Sequence, residues 1–262
     1  THHDMVTFRT YQSQDSSAVR NLFALGLAVI PLTARHTVTP QASEYFALLL
    51  LATLGMGFMV TSRNLLGAFV ALELVSLSLY ALTALHQTRR TSAEAALKYL
   101  TYGGVSTAFL LFGLSYFYGM TGVLDLSAMS AAVPSSPLIT VAYLFILVGL
   151  GFKIAVAPFH LWAPDVYQAA PTPAAAWIAS GSKIAGVALL LALLGPVSLL
   201  SAHSAIVPLI LLMAVASMAV GNLGALRQAN VKRLLAYPEA GLHTTLPRRA
   251  NRTSPPAQFG FA

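Results

Sequence analysis

The sequence predicts an all-α protein, a polytopic bundle of about six to seven transmembrane helices. Hydrophobic residues make up 56% of the 262 and charged residues only 9%, whereas a soluble domain carries about 25% charged residues. The apolar residues also fall into runs close to the roughly 20 residues that a helix needs to cross a bilayer. Cysteine is absent, which excludes disulfides and thiolate-ligated iron–sulfur or zinc sites.

Six apolar runs are predicted to span the membrane, and their Gly, Ala, Ser and Thr residues suit close helix packing. They are 43–61, 65–85, 97–119, 137–157, 173–194 and 205–225. An earlier apolar run, 21–34, is short for a span and is interpreted as the remnant of one. The sequence therefore divides into a polar N-terminal segment with this short helix (1–42), the transmembrane bundle (43–237) and a Pro- and Arg-rich tail, predicted to be disordered (238–262).

Basic residues predict the orientation of the bundle. They cluster at 89–90, after the second span, and at 227–233, after the sixth. If every intervening span crosses the membrane, these two loops face the same side, and the loops of the opposite side carry only Arg63. The positive-inside rule predicts that both basic loops lie in the cytoplasm. The net charge of +7 is thus explained by topology and does not indicate a nucleic-acid partner.

Three ionisable residues lie deep in the predicted spans: Glu73, Lys153 and Lys183. Each costs roughly 2.5–3.5 kcal/mol at a helix centre on the insertion scale. The chain has eleven Arg and only four Lys, yet two of these four lysines lie in mid-span. Because lysine changes its protonation state on burial more readily than arginine, the three residues indicate a proton path. An interhelical ion pair that only holds the bundle together is the alternative interpretation.

The residues around Lys153 predict an interruption of its helix. Gly149 and Gly151 precede the lysine and Pro158 follows it, and a proline removes a backbone donor and disturbs the preceding turn. Broken helices occur at membrane depth where they line a polar cavity. A broken helix beside Lys153 and a simple proline-terminated helix end both fit the sequence.

His160 and Lys98 are two further candidate proton relays. His160 opens the stretch HLWAPDVYQAAPTP; imidazole titrates near neutral pH, but the Trp and Tyr of this stretch also suit a connection at the headgroup level. Lys98 lies just inside its span and can extend to the interface, with Glu94 as its helical ion partner. No metal-ligand spacing and no nucleotide-binding glycine motif occurs, so we expect no cofactor bound by this chain.

Five stretches together carry a resemblance to a known family: ALELVSLSLYALTAL, EAALKYLTYGG, GFKIAVAPFHLWAPDVYQAAPTP, ASGSKIAGVALL and NLGALRQANVKRLLAY. In unbroken order, over about residues 43–237, they resemble the N-type antiporter-like membrane subunit of bacterial respiratory complex I, the proton-pumping NADH–quinone oxidoreductase. The resemblance implies a multi-pass protein of the bacterial plasma membrane. Its implied partners are the lipid bilayer and the other membrane-arm subunits.

The resemblance also implies roles for individual residues. Glu73, Lys153 and Lys183 match the positions that form a proton half-channel and the central polar axis of the membrane arm. Lys153 would be the switchable proton carrier, and Glu73, pointing into the bundle near Lys153 or Lys98, would tune it. The chain would be a non-redox subunit of the enzyme, because FMN, the iron–sulfur clusters and quinone are implied for other parts of the complex.

The chain departs from the family pattern at both ends. It matches most of the first of two inverted helical repeats, and the Pro- and Arg-rich tail replaces a further hydrophobic helix. We therefore expect a chain truncated at both ends. Two other functions stay open: a subunit of a multisubunit cation/proton antiporter, and a non-functional truncated fragment. The sequence GSKIAG after PTP favours the N-type subunit over its sister subunits.

Overall fold

The computed structural model describes residues 42–85, 90–126, 128, 136–199 and 206–237. The run 21–34, the rest of the predicted N-terminal segment up to residue 41 and the tail 238–262 lie outside the described residues. The described ranges consist mostly of helices joined by short connections. In chain order these are α1 (Ala42–Thr61), α2 (Leu65–Ala84), α3 (Arg90–Thr121), α4 (Pro137–Ile154), α5 (Ala163–Ala169), α6 (Thr172–Ala179), α7 (Gly181–Leu199), α8 (Ile206–Leu226) and α9 (Val231–Ala236).

Within the described ranges, six stretches are long and apolar enough to cross a membrane, which confirms the predicted number of spans. They are α1, α2, α3, α4, the combined α6 and α7, and α8. The third span begins at Arg90 and not at 97, because its first turns hold good helix formers such as Ala and Glu. In the same turns, the buried Ser92 hydroxyl donates to the Thr83 carbonyl at the end of α2.

The helix that carries Lys153 ends at Ile154, one residue after the lysine. The sequence predicts that this span ends at residue 157. Ala155 adopts the left-handed conformation, with φ +58°, at a cost of about 1–2 kcal/mol for a non-glycine residue. The backbone N–H of Ala155 donates to Phe152 and that of Val156 to Gly151, a Schellman-type helix end. The predicted interruption beside Lys153 is confirmed, and it precedes Pro158 by several residues.

A second interruption divides the fifth span at Ser180, between α6 and α7. The sequence prediction treated this span as one helix. The interruption lies within a Ser-Gly-Ser run at 180–182, where glycine weakens a helix and serine competes for backbone hydrogen bonds. Both mid-span lysines therefore lie within three residues of a helix break.

Glycines allow close approach where α3 packs along α4. A Cβ atom at Gly113 would lie 2.7 Å from the carbonyl oxygen of Ala142, and one at Gly149 would lie 2.5 Å from the Cβ of Leu110. Helix association in lipid depends on such van der Waals packing because no hydrophobic drive acts between helices there. This close interface fixes the position of α4 against α3.

Contacts at the two ends of the bundle show which helix ends share a side. At one end, two backbone hydrogen bonds join the loop 62–64 and the start of α2 to the segment 124–126 after α3. At the other end, Asp165 contacts both Lys98, near the start of α3, and Arg233 in α9. The start of α3 and the connection after α8 thus share one side, as the two basic loops predicted. That this side is cytoplasmic stays a prediction.

The substitution Gly113→Ala tests the α3–α4 interface. We expect it to lower the free energy of unfolding by about 1–3 kcal/mol, the usual cost of overpacking, because the added methyl meets backbone atoms of α4. Unfolding in mixed detergent micelles, followed by circular dichroism, measures the change. Gly104→Ala on the same helix is the control, since a Cβ there meets nothing within 4 Å. Equal unfolding curves for the two variants would contradict the packing described here.

Candidate functional site

Lys153 lies in the last turn of α4 and is 3% exposed. The five consecutive residues from Gly149 to Lys153 are all buried, so this turn is surrounded by protein. The Lys153 Nζ atom donates a hydrogen bond to the Ser76 hydroxyl of α2 over 3.1 Å. A buried charge without such partners would be strongly unfavourable. The lysine therefore points into the bundle and not into lipid.

Glu73 lies one turn before Ser76 on α2, so the two side chains share a face of the helix. The Thr107 hydroxyl of α3 donates to Glu73 Oε1 over 2.8 Å, and the carboxylate interacts electrostatically with Lys153. Glu73 thus points toward α3 inside the bundle, and its approach to Lys153 stays a prediction. Its part in proton transfer stays a prediction.

A column of aromatic rings links Ser76 back to the broken end of α4. Tyr80, one turn after Ser76, meets Tyr99 edge to face with ring centroids 4.6 Å apart. Tyr99 stacks on Trp162 at 4.3 Å and an interplanar angle of 7°, and the Trp162 indole nitrogen donates to the carbonyl of Phe152, the residue before Lys153. Together with the Lys153–Ser76 hydrogen bond, these contacts form a closed circuit that includes the lysine.

This aromatic column adds protein contacts to one interpretation of the sequence. The Trp and Tyr of the HLWAPDVY stretch were compatible with a connection at the headgroup level, but Trp162 and Tyr167 are each only 2% exposed. Both residues belong to the buried core of the bundle. The stacking of Trp162 on Tyr99 could not be predicted from residue spacing, because it depends on how α3 packs against this segment.

Lys183 lies in the first turn of α7 and is half-buried. Its Nζ atom is 5.5 Å from the centroid of the Tyr167 ring, a cation–π arrangement. One turn further on, a Cβ atom at Gly186 would lie 3.4 Å from the Lys153 Cγ atom. The helix of Lys183 therefore runs directly beside Lys153, which lies between α2 and α7.

Lys98 belongs to a charged cluster at one end of the bundle. Its Nζ atom lies 2.8 Å from Glu94, the predicted helical partner, and 3.1 Å from Asp165. Asp165 also accepts from Arg233 over 2.9 Å, so this carboxylate ties three segments together. The cluster lines a cavity of about 660 Å³. The contacts of Asp165 could not be predicted from residue spacing, because its partners are 67 and 68 residues away.

His160 lies in the turn between α4 and α5. Its Nδ1 atom is buried and has no hydrogen-bond partner in the part of the chain that the structure describes, and its ring lies 6.3 Å from that of Tyr237. Burial lowers the pKa of His160, which favours the neutral imidazole. A neutral imidazole can accept a proton, and its role as a relay stays a prediction. Across the described ranges, no group of three or more His, Asp and Glu residues is arranged as metal ligands.

A buried lysine beside a carboxylate, in a multi-pass bundle whose helices break next to two lysines, is typical of membrane proteins that move ions or protons. Comparison with known proteins defines the family. Residues 62–240 match the model of the NADH:quinone oxidoreductase/Mrp antiporter transmembrane family. The chain belongs to this family, and it is a multi-pass protein of the bacterial plasma membrane.

Individual relatives agree with this family. The chain is 48% identical over 213 residues to NADH-quinone oxidoreductase subunit N 2 of Acidobacterium capsulatum, covering 78% of this chain and 43% of the relative. It is 42% identical over 229 residues to subunit N of Geobacillus kaustophilus, covering 82% and 46%. The chain therefore spans about half the length of the curated relatives it matches.

Two solved structures have a similar fold. A chain of respiratory complex I from Thermus thermophilus matches with a TM-score of 0.68 and 37% identity, over 87% of this chain and 57% of that one. A chain of the membrane-bound sulfane sulfur reductase, an archaeal respiratory membrane complex, matches with a TM-score of 0.74 and 32% identity, over 84% and 46%.

The substitution Asp165→Asn tests the charged cluster. We expect trypsin to cleave after Arg233 severalfold faster in this variant, because the neutral amide no longer holds the guanidinium. Cleavage of the full chain in lipid vesicles, followed by mass spectrometry, measures the rate. Glu94→Gln is the control, since it removes a carboxylate that contacts Lys98 but not Arg233. The same cleavage rate in both variants would show that Asp165 does not anchor α9.

Proposed function

We propose that this chain is a membrane-arm subunit of an NADH–quinone oxidoreductase, and that it translocates protons through Glu73, Lys153 and Lys183. One observation carries the proposal: the Lys153 amine is enclosed in the bundle and hydrogen-bonded to Ser76, which lies one turn after Glu73 on α2. The names of its relatives, NADH-quinone oxidoreductase subunit N, support the assignment to this complex.

In this proposal Lys153 alternates between the ammonium and the neutral amine. A carboxylate close to a buried ammonium stabilises the charged form, so Glu73 favours a proton on Lys153 while the two remain close. A movement that separates them, or a proton that neutralises Glu73, favours release. Thr107 holds the carboxylate, so such a movement involves the contact between α2 and α3.

The proton released by Lys153 would pass toward α7. The contact between Gly186 and the Lys153 side chain brings α7 beside the amine, and Lys183 lies one turn before Gly186 on the same helix. Both lysines are next to helix breaks, where backbone polar groups can face a polar path. His160 and Lys98 are proposed as relays toward the end of the bundle that carries Asp165.

The redox chemistry would occur in other subunits. We infer that FMN, the iron–sulfur clusters and quinone belong to those subunits, and that this chain responds to quinone reduction through conformational and electrostatic changes. The neighbouring membrane-arm subunits and the lipid bilayer would be its partners. Support comes from the two similar structures, which are both respiratory membrane complexes of several subunits in which a chain of this fold occurs.

A subunit of a multisubunit cation/proton antiporter is the second candidate function. The family description includes the Mrp antiporters, and the same buried lysine and glutamate would serve proton exchange. The neighbouring genes distinguish the two candidate functions. Genes for quinone-oxidoreductase subunits beside the gene for this chain would support the first function, and a compact cluster of antiporter genes would support the second.

The substitution Lys153→Gln tests the proposed function in membrane vesicles that contain the complex assembled with this chain. We expect proton translocation coupled to NADH oxidation to fall by at least about tenfold, because an amide cannot carry a proton at a site of acid–base transfer. Lys153→Arg should impair translocation as well, since a guanidinium does not release its proton. A pH-sensitive dye measures the proton movement, and immunoblots report the level of the assembled complex.

The control for these variants is Lys232→Arg, which keeps a positive charge on α9, at the end of the bundle that carries Asp165. It should translocate protons at the rate of the unchanged protein. Full translocation in Lys153→Gln would overturn the proposal. Full activity in Lys153→Arg alone would show that the site needs only a fixed positive charge.

A further inference from the structure

Ser76 lies where the contacts of the Lys153 site meet. Its hydroxyl donates to the carbonyl of Leu72 over 2.8 Å, and its oxygen accepts from Lys153 Nζ over 3.1 Å. Tyr80, the first ring of the aromatic column, lies one turn further on α2 and packs against Tyr99. The serine is 3% exposed. It therefore connects the lysine to α2 and to the aromatic column.

We propose that Ser76 is a positioning residue of the proton-transfer site, which holds the Lys153 amine at the Glu73 face of α2. The inference rests on the proposed function, because it assigns Ser76 a part in the same transfer. It adds a residue without charge to a site that the sequence defined only by its charged groups.

The direction of the serine hydrogen bonds supports this role. Because the Ser76 proton is donated to Leu72, the hydroxyl oxygen presents its lone pairs to the lysine. Both an ammonium and a neutral amine have N–H groups to donate. Ser76 can therefore hold Lys153 in either protonation state, whereas Glu73 attracts only the charged form. A lysine side chain has considerable rotamer freedom, so a partner that persists after proton release keeps the amine in place for the next proton.

Ser78 provides a matched control on the same helix. It is also buried, at 4% exposure, and its hydroxyl donates to the carbonyl of Leu74, four residues earlier, over 2.7 Å. Two residues correspond to roughly 200° around an α-helix, so Ser78 faces away from Ser76. Replacing Ser78 with alanine removes the same kind of hydroxyl and the same kind of backbone hydrogen bond, but leaves Lys153 untouched.

The first measurement is the 15N resonance of Lys153 Nζ in the full chain, labelled at lysine and reconstituted in lipid. The chain has only four lysines, and Lys153→Gln identifies the resonance by its loss. We expect Ser76→Ala to move this resonance, Ser78→Ala to leave it in place, and Ser76→Thr, which keeps a hydroxyl, to restore it. This readout does not depend on proton translocation.

The second measurement is proton translocation by the assembled complex. We expect Ser76→Ala to lower it about tenfold, the effect of losing one hydrogen bond to a charged group. Ser76→Thr and Ser78→Ala should stay near the unchanged protein. Ser76→Cys replaces the alanine variant if that variant does not accumulate in the membrane, because the thiol keeps the volume but is a weak acceptor.

Each outcome decides the inference. A Lys153 resonance that does not move in Ser76→Ala would show that the contact is not made, whether or not the chain translocates protons. If the Lys153 resonance moves in Ser76→Ala but this variant translocates protons as fast as Ser78→Ala does, the role of Ser76 is only structural. The proposed function would then stand without Ser76. Full translocation in Lys153→Gln would overturn the proposed function itself, and this inference with it.

Discussion

The burial of one ammonium group inside a membrane bundle is the constraint on which the other features of this structure depend. Lys153 is almost fully enclosed, and an unpartnered charge at that depth would oppose membrane insertion. The surrounding helices reduce this cost in complementary ways: α2 supplies the Ser76 oxygen and the Glu73 charge, and α3 fixes Glu73 through Thr107. The lysine thus joins α4 to α2, while close packing at glycines holds α3 against α4.

The end of α4 lies directly beside this lysine. The chain leaves the helix through the left-handed Ala155, and the Phe152 carbonyl accepts hydrogen bonds both from the Ala155 backbone and from the Trp162 indole. Trp162 lies three residues before Asp165, which holds Lys98 and Arg233 at the end of the bundle. A short, packed segment therefore joins that charged cluster to the backbone beside Lys153. This is a physical route by which events at one end of the bundle can reach the proposed proton carrier.

The six spans and the three mid-span charges could be predicted from the sequence, because apolar length and the presence of a charge are local properties. The break near Lys153 could be predicted from its glycines and from Pro158, although the actual end at Ile154 depends on the conformation of Ala155. The contacts of Ser76, Trp162 and Asp165 could not be predicted. Each joins segments far apart in the chain, and span length does not specify which helices become neighbours. The break at Ser180 was also missed, because a short Ser-Gly-Ser run is compatible with a continuous helix.

The most direct test of this account is the distance between the last turn of α4 and the Ser76 face of α2. The chain lacks cysteine, so paired cysteines can be introduced without removing any others. A short bifunctional thiol reagent, applied to the full chain in lipid, should bridge Ser76→Cys and Lys153→Cys in one molecule. It should fail to bridge Ser78→Cys and Lys153→Cys, because position 78 faces roughly the opposite way on the helix. Equal yields for the two pairs, or a higher yield for the second, would show that Lys153 does not lie against Ser76 and would contradict the account.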